Sequence, residues 1–481
     1  MSQVLSDKKN LQKIEYFADN QGITLGSFLS KFNNLFVVYR RDNISKAHSY
    51  LLGLLKCEKN HTNMERMVEQ VPDLAYHQYH NFLSESKWDY QQVNNTTALE
   101  TSALLESCKT KSGKPTGYII DESSHLKKGK ESVGVARQYA GVSGKVDNCQ
   151  VAVYSSLCNE DNVSIIDVKL FLPEQWIQDK ERCDKAGIPE SEQVFKTKPQ
   201  LALEMIKSDK KLGVQFDWIG GDGLYGHNTE LTHGLDAEGL FYVLDVHKDE
   251  LFYLEKPTLS IPLKKSKKGR TPTNLKADKP TCRIDNYYQG LSEEQWEKVK
   301  IRRTTKGWKY VLVHTIAVWH WDGKEENARQ RTLVITRTLD KKPKVKFSFS
   351  NGEIDEYTKE EYAYFQCSRY WVERSFDDAK NELGLSGYQI RKWNAWQHHQ
   401  SLTMMACLYM LNLKIARKPE YQLMSLRDTR IMIIAHLFSD QETISKLHNQ
   451  MLVRHKNRKR DIDRFYKNEN DYPQSVQFQR I

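Results

Sequence analysis

The sequence predicts an α/β protein in which helices cover a mixed sheet, a mainly-β segment is inserted, and helical regions lie at both ends. Three observations predict it. Short apolar runs that break at an acid or a glycine recur between residues 118 and 246, with one helix-patterned stretch among them. Residues 1–108 carry apolar clusters, such as Tyr50-Leu51-Leu52, separated by polar turns. The interval from Asp222 to Glu373 is far longer than a single connection needs, and it contains alternating stretches.

Taken in order, residues 1–108 are expected to form a helical domain. Its basic residues Arg40, Arg41, Lys46, His48, Lys56 and Lys59 suit either DNA binding or a solvated prop for the core. Turn formers and charge at 109–117 mark the first boundary. Core strands are expected at 118–121, 148–155, 163–172, 215–219 and 239–246, with a helix at 198–212, giving a first core segment of 109–247. The inserted mainly-β subdomain spans 248–355, with strands at 308–321, 331–338 and 344–350 and a basic loop at 263–270. Residues 356–416 return to the core through a helix carrying Glu373 and a long apolar helix at 395–416. The remainder, 417–481, holds one apolar helix and a basic tail at 454–460 that reads either as a DNA contact or as a solubilising tail.

Three acids stand out. Tyr118-Ile119-Ile120 delivers Asp121 to a strand end, and an apolar run broken at Gly220-Gly221 delivers Asp222. Glu373 lies on a helix whose buried face is Val372, Phe376, Ala379 and Leu383, with Arg369 and Lys380 on an adjoining face. Two strand-end aspartates and a helix-borne glutamate suit a pair of divalent metal ions, and oxygen ligands suit Mg2+. Such a pair stabilises the incoming and leaving oxygens of a phosphodiester displacement, so no side-chain nucleophile is needed. Two other carboxylates compete. Glu122 points to the opposite strand face, and Asp377 lies at i+4 from Glu373. His398 and His399 are adjacent rather than at i, i+4, which favours core packing or a phosphate contact over a metal site.

In these settings Asp121, Asp222 and Glu373 resemble the triad of DDE transposases of bacterial insertion sequences, which carry it on an RNase H-like core. Arg369, Glu373 and Lys380 match the last three members of that class's tyrosine, arginine, glutamate, lysine signature, while Gln366 occupies the tyrosine position. LKKGKESVGVARQYAGVSGKVDNCQVAV, LFLPEQW and GDGLYG resemble one subgroup, and the likeness extends from about residue 46 to 399. The resemblance implies two Mg2+ ions, replaceable by Mn2+, held by Asp121, Asp222 and Glu373. It also implies strand cleavage and strand transfer at terminal inverted repeats, and a homodimer on double-stranded DNA. Arg369, Lys380, Lys127, Lys128 and Tyr225 are the expected phosphate contacts; from the residues alone Arg369 suits an ion pair with Glu373 at i+4, Tyr225 a support for its loop, and Lys127 and Lys128 a solvated loop. Trp308, Trp319 and Trp393 are candidates to stack a flipped base.

Composition agrees without deciding. Among 481 residues, 72 Lys plus Arg against 62 Asp plus Glu give a charge of +10, which suits a polyanionic partner or plain solubility. Eight scattered cysteines without a C-x-x-C pair argue against structural zinc and a disulfide framework. The absence of a long apolar run or signal-peptide pattern predicts a cytoplasmic, nucleoid-associated protein with no membrane partner. Two rival readings are a structure-selective metal-dependent nuclease and a domesticated DNA-binding protein without activity.

Overall fold

A computed structural model describes residues 24–57, 62–71, 75–263, 271–304, 307–418, 423–438 and 441–468. Ten strands form one mixed sheet: β1 (Gly117–Leu126), β2 (Ala136–Ala140), β3 (Lys145–Asn159), β4 (Asn162–Phe171), β5 (Trp218–Gly221), β6 (Tyr242–Asp245), β7 (Glu297–Thr304), β8 (Gly307–His320), β9 (Arg329–Thr338) and β10 (Val345–Ser350). Their order is β7-β8-β9-β10-β6-β5-β1-β3-β2, with β4 also paired to β3. Only β1–β5 and β5–β6 are parallel; the other pairs in the sheet are antiparallel. Because β10 pairs with β6 through Ser348, Phe349 and Ser350, the inserted strands extend the core sheet rather than building a sheet apart from it. Among the described residues of the insertion, two short ribbons, Leu251–Phe252 with Cys282–Arg283 and Leu259–Ser260 with Lys276–Ala277, stand outside it.

The helices that position the site are α1 (Ile44–Lys56), α2 (Tyr90–Ser112), α3 (Lys198–Leu212), α4 (Gly223–Gly226), α5 (Lys359–Ser368), α6 (Tyr370–Glu382) and α7 (Trp393–Arg417). Alternation along β1 divides the core. Tyr118 and Ile120 pack with Leu201, Met205 and Ile206 of α3, whereas Ile119 joins a cluster containing Val372, Phe376 and much of α7. Nearly all of α7 is buried, because the sheet lies on one side and the N-terminal helices on the other.

The N-terminal helices share the α7 core, the arrangement that the prop reading expects, and α2 runs through the expected boundary at 108 to end at Gly113, whose φ of 66° makes the left-handed cap. His398 and His399 are core groups. The His398 ring stacks on Trp88 at 3.8 Å, and its Nδ1 lies 2.7 Å from the Leu83 carbonyl oxygen. His399 Nδ1 pairs with the Tyr50 hydroxyl at 2.8 Å. Burial lowers both imidazoles, to about 4 and about 3.

Residues 454–460 are helical, within Gln441–Asn468, and Arg454 pairs with Asp428 at 2.5 Å. Of the basic loop 263–270, only Leu263 lies within the described residues. All eight cysteines are free. No helix among the described residues is long and apolar enough to cross a membrane.

Candidate active site

The parallel register builds the site. Ile119 pairs with Gly220, so Asp121 and Asp222 each stand two residues beyond the last pair of adjacent strands. Gly221 pairs with Leu244, so Asp222 and Asp245 each stand one residue beyond theirs. Neighbouring strands lie about 4.8 Å apart, and three aspartates therefore form a row just beyond the parallel-paired segments of β1, β5 and β6. β1 itself runs on to Leu126 in its antiparallel pairing with β3, so Asp121 lies within the strand and not at the strand end expected. Asp245 was not among the expected site residues, although Tyr242-Val243-Leu244 ends on it just as Tyr118-Ile119-Ile120 ends on Asp121.

Close packing holds the middle of the row. Asp222 caps α4 by accepting from the Leu224 N–H at 2.9 Å. Gly226 closes the turn so tightly against β6 that a Cβ there would sit 2.0 Å from the Asp245 carbonyl oxygen. On the far face of β1, Glu122 accepts from the Tyr225 hydroxyl at 3.1 Å and from Lys198 Nζ at 3.0 Å. Glu122 does point away from Asp121, yet its charge still reaches Asp222 round the strand edge.

Glu373 enters from α6, one turn after Arg369, which lies at the junction of α5 and α6. The Arg369 guanidinium binds three carboxylates. Nη1 donates to Asp121 Oδ2 at 3.4 Å, Nη2 to Glu373 Oε1 at 3.1 Å and Nε to Asp245 Oδ2 at 3.2 Å. One side chain thus links the helix-borne acid to the strand row. Burial raises the Asp121 carboxyl to about 7; Arg369 works against the rise, and Asp222 and Glu122 add to it. Burial also raises Asp222, again with Glu122 adding.

The other expected contacts divide. Lys380 is half-buried on α6; burial lowers its ammonium, with Asp377 and Asp121 acting against that. Lys128 is exposed on the loop after β1. Lys127 instead turns inward. Its Nζ donates to the Tyr388 carbonyl at 2.9 Å and lies 3.5 Å from that ring's centroid, and burial lowers it to about 7. Tyr225 is fully buried and supports the turn through Glu122, so it has no surface for a phosphate. Gln366 is also buried: Nε2 donates to Ser348 Oγ at 2.7 Å and to the Val334 carbonyl at 3.2 Å, and its Oε1 accepts from Thr336. It ties α5 to β9 and β10 rather than facing the acids. Trp393 is buried, whereas Trp308 and Trp319 are half-buried on β8 beside cations.

Among the described residues, no group of three or more His, Cys, Asp or Glu side chains is arranged to hold a metal ion as it stands. The donor set still fits a hard divalent cation. It offers carboxylate oxygens alone; burial, with neighbouring carboxylates adding, raises Asp121 and Asp222, and a cationic group already lies among them. That group is the Arg369 guanidinium.

Comparison with known proteins bears on this geometry. Residues 28–308 match the model of the family described as DDE superfamily endonuclease, a range that includes Asp121, Asp222 and Asp245 and stops short of Glu373. A probable transposase for insertion sequence element IS701 from Microchaete diplosiphon is 26% identical over 315 residues, covering 65% of this chain and 68% of that protein. A solved piggyBac transposase synaptic complex with hairpin DNA aligns over 93% of this chain and 85% of its own, at 11% identity and a TM-score of 0.36.

Proposed function

This chain belongs to the DDE superfamily of endonucleases, and from that premise we propose that it is the transposase of an insertion sequence, acting on DNA at the element's terminal inverted repeats by strand cleavage and strand transfer. The observation that carries the reading is the joining of Asp121 and Glu373 by one guanidinium on the strand that neighbours Asp222. An RNase H-like core is supported by the antiparallel β1, β3 and β4 lying beside the parallel β5 and β6. Asp121, Asp222 and Glu373 would hold divalent cations, Mg2+ or Mn2+. When bound, these would act as Lewis acids on the attacking and leaving oxygens of a phosphodiester.

The chain's own residues hold the substrate. Arg369 and Lys380 flank the acids and can pair with phosphates on either side of the scissile bond, Arg369 in bidentate fashion. At the sheet edge beyond them, cations of β7 lie against rings on both faces of the sheet. Arg302 lies 4.0 Å from the Tyr370 ring and 4.9 Å from that of Trp371; on the other face Lys298 lies 4.4 Å from Tyr310, and Arg303 5.1 Å from Trp308. The Arg302 group, on the helix α6 side that carries Glu373, suits a polyanion with stackable bases. Two copies of the chain would bring two element ends together.

The test uses DNA from either side of the coding region, labelled at its 3′ end. With Mg2+, the purified chain is expected to cleave it and join it to a plasmid, and Asp121→Asn to lower both activities by at least ~10³-fold while still binding the DNA. Cleavage without joining would identify a nuclease, and equal activity in Asp121→Asn would remove the acids from the chemistry.

A further inference from the structure

Arg369 is more than a phosphate contact in waiting. Its side chain is 16% exposed, and each face of its guanidinium fork is already taken by a carboxylate from a different element. A guanidinium has no acceptor and keeps its charge at any working pH, so it compensates the acids without an ion. A divalent cation ligated by Asp121 and Glu373 would have to share the carboxylates that Nη1 and Nη2 now hold, and the second Asp121 oxygen already accepts from the Glu122 N–H at 2.8 Å. The tie to Asp245 is different in kind. It uses Nε, close to the backbone end of the fork, and the Asp245 carboxylate is fixed independently by the Ser348 hydroxyl at 2.7 Å.

We propose that Arg369 is a built-in competitor of the divalent cation: it holds Asp121 and Glu373 together until metal enters, then pivots about Asp245 and turns Nη1 and Nη2 to a DNA phosphate. Asp245 is the positioning residue, the anchor that keeps the released guanidinium beside the site. The proposal rests on the metal-dependent reading of the site given above. Metal and DNA then assist one another, because each removes a reason for the closed arrangement, and this coupling is reciprocal.

The test is calorimetric titration of Mn2+ into the full chain. R369Q is expected to bind Mn2+ roughly tenfold more tightly than the unmutated chain, the scale on which a neighbouring charge shifts a carboxylate's equilibrium. Short duplex DNA is expected to tighten Mn2+ binding several-fold in the unmutated chain but not in R369Q or D245N. D245E, which keeps the carboxylate, is expected to restore the coupling. Unchanged or weaker Mn2+ binding by R369Q overturns the competitor role, and full coupling in D245N overturns the anchor. If R369Q does not fold, R369K serves in its place. Its ammonium cannot span three carboxylates, so it too must bind Mn2+ more tightly than arginine allows, and failure to do so is equally fatal. Absence of saturable Mn2+ binding in both the unmutated chain and R369Q would instead bring down the metal-dependent reading itself.

Discussion

Three neighbouring strands place an aspartate in one row, and their surroundings make the three unlike. Asp121 is pushed up to about 7 by burial, Asp222 spends one oxygen capping α4, and Asp245 is held by Ser348 and Arg369. The same dependence on surroundings explains Gln366. In a signature that places tyrosine there, the position is easily taken for a substrate contact; here the side chain is closed in by Val334, Thr336 and Ser348. Gln366→Tyr is therefore expected to lower stability by about 1–3 kcal/mol in urea unfolding, through overpacking and unpaired hydroxyls, without tightening DNA binding. A gain in DNA affinity would contradict the inward placement.

At the scale of elements, strands with an apolar alternation are legible in the sequence, and those without one are not. The stretches 308–321 and 331–338 become β8 and β9 within two residues. By contrast β7, Glu-Lys-Val-Lys-Ile-Arg-Arg-Thr, escapes notice because it is a charge-rich edge strand in which Val299 alone is fully buried. Charged edges of this kind deter further strand pairing. The turn after β5 is the element on which the site depends most. Gly226→Ala would drive a methyl group into the Asp245 carbonyl, so a loss of about 2 kcal/mol or more and a marked fall in cleavage are expected together, since Asp222 and Asp245 must both shift. Gly141→Ala, where nothing lies within 4 Å, serves as the control and is expected to leave both unchanged. Parity between the two variants would mean that the turn tolerates displacement.

For the whole molecule, one sheet and one long helix bind the expected domains into a shared core. Lys414 near the end of α7 is buried and reaches the β3–β4 turn, where Nζ lies 3.1 Å from Asp161 Oδ2; Lys418 lies 2.8 Å from Oδ1. Burial pushes the Asp161 carboxyl up, but the two ammonium groups outweigh it and hold it well below the usual carboxylate range. A depressed carboxyl contributes stability above its unfolded value of about 3.9 and loses it as pH falls below that. Asp161→Asn is expected to cost about 1–3 kcal/mol at neutral pH, less than a fully buried pair because Asp161 partly meets solvent. Its deficit relative to the unmutated chain is expected to shrink on acidification below pH ~4. Thermal unfolding across that range measures both, and a deficit independent of pH would show that the pair is not the cause.

By itself the sequence determined the α/β class, most strands and helices, and which acids follow short apolar runs, because period and punctuation are local properties of a chain; it did not show that β1 runs past Asp121 to Leu126. It also marked Asp245 by the same signal as Asp121, yet gave that signal no more weight than any other acid after an apolar run. Only the tertiary structure decided that the insertion shares the core sheet, that Lys127, Tyr225 and Gln366 face inward, and that Arg369 lies across Asp121, Asp245 and Glu373. Those outcomes depend on strand order, parallel register and the junction of α5 with α6, which bring together residues more than a hundred positions apart and leave no periodic trace in the chain.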